Sequence, residues 1–152
     1  MDDEKKYIEA PEVEVMIQTI IQKYTTLYEL QKVGIKAIFR IPSRSRGSKE
    51  VYGTASIVGE RMRLFLDADF LIEIWRDGWD SMDEKGKEAL IFHELKHCVV
   101  EEKPNKKGGI TLVLKTKPHD FSGFIEEYNI FGDWRNDLPE LKNEQMEETE
   151  ND

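Results

Sequence analysis

The stretch Ala89–Val100, ALIFHELKHCVV, constrains this chain more than any other part of it. It is apolar on nearly every side, and a helix without a polar face belongs inside the fold. Yet it carries His93, Glu94 and His97. Burying such groups without partners costs roughly 2 kcal/mol or more each, so the rest of the chain has to supply those partners. Ser81 followed by Glu84 is a capping-box pattern. It predicts a helix from there to about Val100, charged in its first turns (Asp83, Glu84, Lys85, Lys87, Glu88) and apolar afterwards.

His93-Glu94-Leu95-Lys96-His97 is an H-E-x-x-H motif. Residues four apart share a helical face, so the two imidazoles can point at one zinc ion with nitrogens about 2 Å from it. Glu94 projects beside the metal and is placed to take a proton from water and later deliver it to a leaving group. Zinc lowers the pKa of bound water from near 16 toward about 7 and polarises a carbonyl. The third histidine of the chain, His119, follows one strand later at the start of another expected helix, and is the first choice of third ligand. Asp120, Glu126 and Glu127 are rivals, because carboxylates from a downstream helix also complete such sites. Glu127 reads as a solvent-facing helix charge, Asp120 also as a helix N-cap or an acceptor orienting an imidazole, and Cys98 as a small core residue.

The 152 residues are 39% hydrophobic, enough for one core, and no internal repeat or linker divides them. A single domain over 1–138 is expected. Pro11 suits a first helical turn. Val13, Ile17, Ile20, Ile21, Tyr24, Leu27 and Tyr28 then recur at helical spacing, predicting an N-terminal helix that closes near Gly34. Strands are expected at Ile35–Ile41, Val51–Val58, Arg61–Asp67 and Asp69–Trp75, with a tight hairpin at Gly59-Glu60. After a polar break at Lys103–Gly109 come a strand, Gly109–Leu114, and a helix from about His119 to Phe131 introduced by Pro118. That order predicts an α+β fold with a small, mostly antiparallel sheet.

Several classes are excluded by composition. No apolar run reaches the ~18–20 residues of a membrane helix. The acidic start MDDEKKYIEA lacks the features of a signal peptide, so a cytoplasmic protein is expected. A lone cysteine rules out an internal disulfide and a thiolate-rich zinc site. The net charge of −9 argues against a dedicated nucleic-acid binder. Charge is uneven, however. Acids dominate 139–152, expected to be a disordered tail. Basic residues (Lys36, Arg40, Arg44, Arg46, Lys49, Arg61, Arg63) dominate Lys36–Arg63.

The string DADFLIEIWRDGWDSMDEKGKEALIFHELKHC, followed by KPHDFSGFIEEYNIFGDWRNDL, resembles the phage metallopeptidase family over about Tyr52–Leu138. The shared features are a strand at Asp69–Ile74, a turn at Trp79, the helix Ala89–Cys98, the segment Pro118–Phe124 and Gly132–Trp134. His119 with Phe124 is also similar to the third-ligand segment of SprT- and WSS-type minimal zinc peptidases. The resemblance implies a zincin-like fold in which the motif helix is followed by a helix carrying the third ligand. It also implies His93, His97 and His119 as zinc ligands, Glu94 as general base, and a phage or prophage origin. Gly123 departs from the pattern, standing where an acidic residue is expected in many relatives.

The expected activity is zinc-dependent hydrolysis of a peptide or protein in a bacterial host's cytoplasm. The strand DFLIEIW is a candidate for pairing with an extended substrate, and Tyr52, Tyr128 and Arg135 are candidates for stabilising the transition state. Two other readings stand beside it. One is a catalytically silent, zinc-stabilised protein that binds a host factor. The other is a metal-dependent hydrolase of a nucleic-acid-associated substrate approached through Arg40, Arg44, Arg46 and Lys49.

Overall fold

A computed structural model of the chain describes residues 6–41, 44–46, 49–118, 123–132 and 134, without the side chains of 44–46 and 49–51. The expected tail at 139–152 lies outside the described residues. One continuous buried core runs from Ala10 to Phe131. No described helix is long and apolar enough to cross a membrane.

The first element is a short strand, β1 (Lys6–Glu9), which the sequence did not announce. Helix α1 (Pro11–Lys23) follows, with Pro11 in its first turn and Val13, Ile17, Ile20 and Ile21 buried along one face. It stops short of Gly34, because Tyr24 is extended and the chain resumes as a 3-10 helix over Thr25–Lys32 that buries Leu27 and Leu30. Thr25 and Thr26 are β-branched, poor continuations for an α-helix. Tyr28, expected on the apolar face, is exposed.

The sheet combines β1, β2 (Ile35–Ile41), β5 (Gly53–Ile57) and β6 (Phe70–Trp75) in the order β1-β2-β6-β5. A separate two-stranded ribbon, β3 (Arg44–Arg46) with β4 (Lys49–Val51), sits between β2 and β5 in the chain. The outer pairings are antiparallel, as expected, but the central pair β2·β6 is parallel, Ile35 opposite Phe70 through Arg40 opposite Trp75. The expected strand Arg61–Asp67 is instead a turn. The carbonyl of Gly59 accepts the amides of Met62 and Arg63, a 3-10 turn covers Met62–Leu64, and Leu64 and Phe65 face solvent. Strand β6 takes its place beside β5, since Phe70, Ile72 and Ile74 bury completely on one face.

A short helix, α2 (Arg76–Ser81), turns the chain around the buried Trp79. The motif helix α3 spans Glu84–His97. Its cap is Asp83, whose carboxylate accepts the Gly86 amide at 2.8 Å, whereas the Ser81 hydroxyl donates to the Gly78 carbonyl at the end of α2. The helix ends at His97, three residues before the expected limit. Cys98-Val99-Val100 already alternates between buried and partly exposed as the start of β7 (Cys98–Pro104). That strand forms an antiparallel ribbon with β8 (Ile110–Thr116), so the expected polar break is the hairpin's tip. Helix α4 (Ile125–Phe131) begins later than expected and ends at Gly132, φ 67°, a conformation that favours glycine.

Aromatic rings join α1, α3 and α4: Phe92 lies 5.1 Å from Tyr24 and 5.6 Å from Phe131, edge to face. Beside them Lys23 (2.8 Å) and the Tyr24 hydroxyl both donate to Glu88. Burial works to raise the Glu88 pKa, but these hydrogen bonds outweigh it and hold the carboxyl below its usual range. A depressed carboxyl adds stability that is whole above its unfolded value, about 4.3, and is lost as pH falls through the folded value. Glu88→Gln should therefore cost about 1 kcal/mol at pH 7, and its melting temperature should converge with that of wild type on acidification. A gap that persists in acid would assign the effect to packing.

Candidate active site

Leu90–Leu95 is buried throughout, with His93 and Glu94 only 2% and 3% exposed. His97, at the last turn of α3, is partly exposed. The two imidazoles meet edge to face one turn apart, centroids 5.2 Å apart and planes at 78°. Phe124, fully buried, packs edge-on against both at 5.4 and 5.0 Å.

Both rings are held through Nδ1. His97 Nδ1 lies 2.7 Å from the Lys117 carbonyl oxygen. A carbonyl only accepts, so that nitrogen carries the proton and the lone pair of the neutral ring sits on Nε2. His93 Nδ1 lies 2.6 Å from Glu127 Oε1. The same oxygen accepts the Phe124 amide at 3.1 Å, and Glu127 Oε2 accepts the Trp134 indole N–H at 2.6 Å. Glu94 Oε2 lies 3.9 Å from His93 Nε2, on the side of the ring opposite Glu127. Two imidazoles whose Nδ1 atoms are committed to acceptors present Nε2, the arrangement zinc-binding histidines adopt. The donor set therefore fits the metal that the motif implies.

His93, Glu94 and His97 thus come together as the sequence predicts. His119, Asp120 and Arg135 lie outside the described residues. Among the described residues no group of three His, Cys, Asp or Glu side chains is placed to hold a metal. Glu126, a rival third ligand, is engaged elsewhere, accepting from Lys96 and Thr26 at 2.8 Å each. Burial would raise its pKa, but the Lys96 bond, helped by Thr26, holds it low. Glu127, expected to face solvent, is 3% exposed. The correction has a legible cause: Phe124, Glu127 and Phe131 fall at i, i+3 and i+7, so Glu127 occupies the apolar stripe. Cys98 is the core residue expected; burial, reinforced by the charge of Glu94, pushes its thiol up to about 12.

The strand expected to receive substrate is not available. Strand β6 is paired on both sides, by β2 and β5, and has no free edge. Strand β5 is one of the sheet's two edge strands, with the β7–β8 ribbon beside it, and it borders the site, since a Cβ on Gly53 would lie 3.3 Å from Glu94 Oε2. Tyr52 packs its ring against Gly78, while Tyr128 is 42% exposed on α4. That same Cβ would stand 3.1 Å from the Glu73 carbonyl and from Ile74 Cδ1. Gly53→Ala should therefore destabilise the fold by about 1–2 kcal/mol, read from denaturant melts; an unchanged midpoint would show that β5 gives way freely.

A family model described as "putative phage metallopeptidase" matches residues 5–144. No curated protein and no solved structure matches the chain.

Proposed function

As a member of the phage metallopeptidase family, to which the match over residues 5–144 shows this chain to belong, it is one for which we propose zinc-dependent peptide hydrolysis at His93, Glu94 and His97. The observation that carries the proposal is the pair of imidazoles held through Nδ1, with Glu94 on the Nε2 side of His93 and an edge strand alongside. His93 and His97 would hold the metal through Nε2, with His119 as the proposed third ligand. Zinc, when bound, supplies a Lewis acid that polarises the peptide carbonyl and makes water more acidic.

The chain's own residues do the rest. Glu94 takes a proton from the attacking water as the new C–O bond forms. It returns that proton to the amide nitrogen as the C–N bond breaks, so protons balance over the cycle. Its burial beside Gly53 keeps bulk water from competing for that transfer. Strand β5, last in the sheet order and beside Glu94, is the strand to which we assign pairing with an extended peptide. A bacterial host's cytoplasm is the proposed setting.

The test is metal content by elemental analysis, with a peptide-library cleavage assay, on wild type, His119→Ala and Glu94→Gln. The expected result is about one zinc per chain in wild type and in Glu94→Gln, with turnover lowered 100-fold or more in the latter. Zinc should fall sharply in His119→Ala. Cleavage unchanged in Glu94→Gln would sink the proposed chemistry. A zinc-loaded wild type that cleaves no peptide but is retained by one host protein would favour a binding role.

A further inference from the structure

Glu127 is an anomaly that peptide hydrolysis by Glu94 leaves unexplained: a second carboxylate, 3% exposed, directly behind the first histidine of the motif. Its two oxygens accept the Phe124 amide and the Trp134 indole N–H, and Oε1 also lies 2.6 Å from His93 Nδ1. The surroundings leave room for it: a Cβ on Gly123 would stand 3.0 and 3.1 Å from the two Glu127 oxygens.

We infer that Glu127 is a positioning residue for the metal site, locking His93 as the Nδ1–H tautomer with its Nε2 lone pair aimed at the metal, and that Trp134 positions Glu127 in turn. The inference rests on the zinc reading above. A carboxylate behind a ligating imidazole fixes the ring's rotation and makes Nε2 a better donor. The contact reaches from α3 to α4 (34 residues apart in sequence), so docking α4 and forming the ligand geometry are one event. It also gives the Gly132–Trp134 segment a task, because the indole returns to pin the carboxylate from the far side.

Glu127→Gln keeps the size of the side chain but has a single acceptor oxygen, and its NH2 must confront at least one of the three donors. The experiment measures zinc affinity by competition with a chromophoric chelator, and the His93 tautomer by 15N NMR of the metal-free protein. Wild type should carry the His93 proton on Nδ1. Glu127→Gln should lose that preference and bind zinc about 10–100-fold more weakly, and Trp134→Phe should show a smaller loss. The Trp134 indole N–H resonance, identified by its absence in Trp134→Phe, should move on adding zinc more than those of Trp75 and Trp79.

A folded Glu127→Gln with wild-type zinc affinity would overturn the inference, as would a His93 proton on Nε2 in wild type. If Glu127→Gln fails to fold, the wild-type tautomer and the Trp134 resonance decide the matter. Glu127-dependent zinc binding in a protein that cleaves nothing would sink the hydrolase reading while supporting the role of Glu127.

Discussion

The hydrogen bond between His93 and Glu127 is the contact around which the rest of the structure is arranged. An apolar helix with a histidine on its innermost face is not viable alone, because the imidazole N–H, once removed from water, needs an acceptor. The acceptor comes from α4, and bringing a carboxylate inside raises the same demand one step further out. The Phe124 amide and the Trp134 indole meet it. Each partner is itself tied down: Phe124 packs on both histidine rings, and Trp134 lies just past Gly132, where positive φ redirects the chain. Polar networks of this kind are costly when half-made and rigidifying when complete.

Helix α3 is held at both ends by different chemistry. Its first half meets the end of α1 through Glu88, and from its middle Phe92 packs on Tyr24, contacts that are aromatic or near the surface. Its second half meets α4 through buried polar bonds, with the Lys96–Glu126 pair on the outside of the same seam. A helix fixed by packing at one end and hydrogen bonds at the other has little freedom to roll. Roll is what would swing Nε2 of His93 and His97 away from a common point.

Much of this was legible in the sequence. Strand β2 runs over Ile35–Ile41 as its β-branched and aromatic run predicts, and the core face of α1 follows the 3.6-residue period. The motif helix is as deeply buried as its composition demands. The failures share a physical cause, competition between segments of similar local preference. Arg61–Asp67 alternates like a strand, but Asp69–Trp75 offers a more apolar inner face and wins the place beside β5. Val99 and Val100 extend an apolar helical pattern, yet their β-branched side chains suit the ribbon with β8. The capping pattern at Ser81 fails because its hydroxyl is used at the end of α2, on Gly78, while the Asp83 carboxylate takes the Gly86 amide that opens α3. The parallel β2·β6 pairing depends on long-range topology that local pattern does not encode.

The adjacent acids Glu126 and Glu127 show how finely the site depends on phase along a helix. They have the same chemistry and differ by 100° of rotation. That rotation sends Glu126 to Lys96 and Thr26 near the surface and Glu127 into the core behind His93. Glu127, expected to face solvent, is the one that turns inward, because what decides is which acid falls in step with the apolar residues of its helix. Phe124 and Phe131 answer that, being three before and four after Glu127. An acid in phase with a buried stripe has to be partnered inside, and the nearest buried donor in need of an acceptor here is the first histidine of the motif. The same reasoning places Glu94, flanked by buried Ile91 and Leu95, on the inner side of α3, where the edge strand of the sheet passes at Gly53. Two carboxylates thus converge on one imidazole, Glu127 at Nδ1 and Glu94 near Nε2, so the chemistry of both acids is tied to the orientation of a single ring.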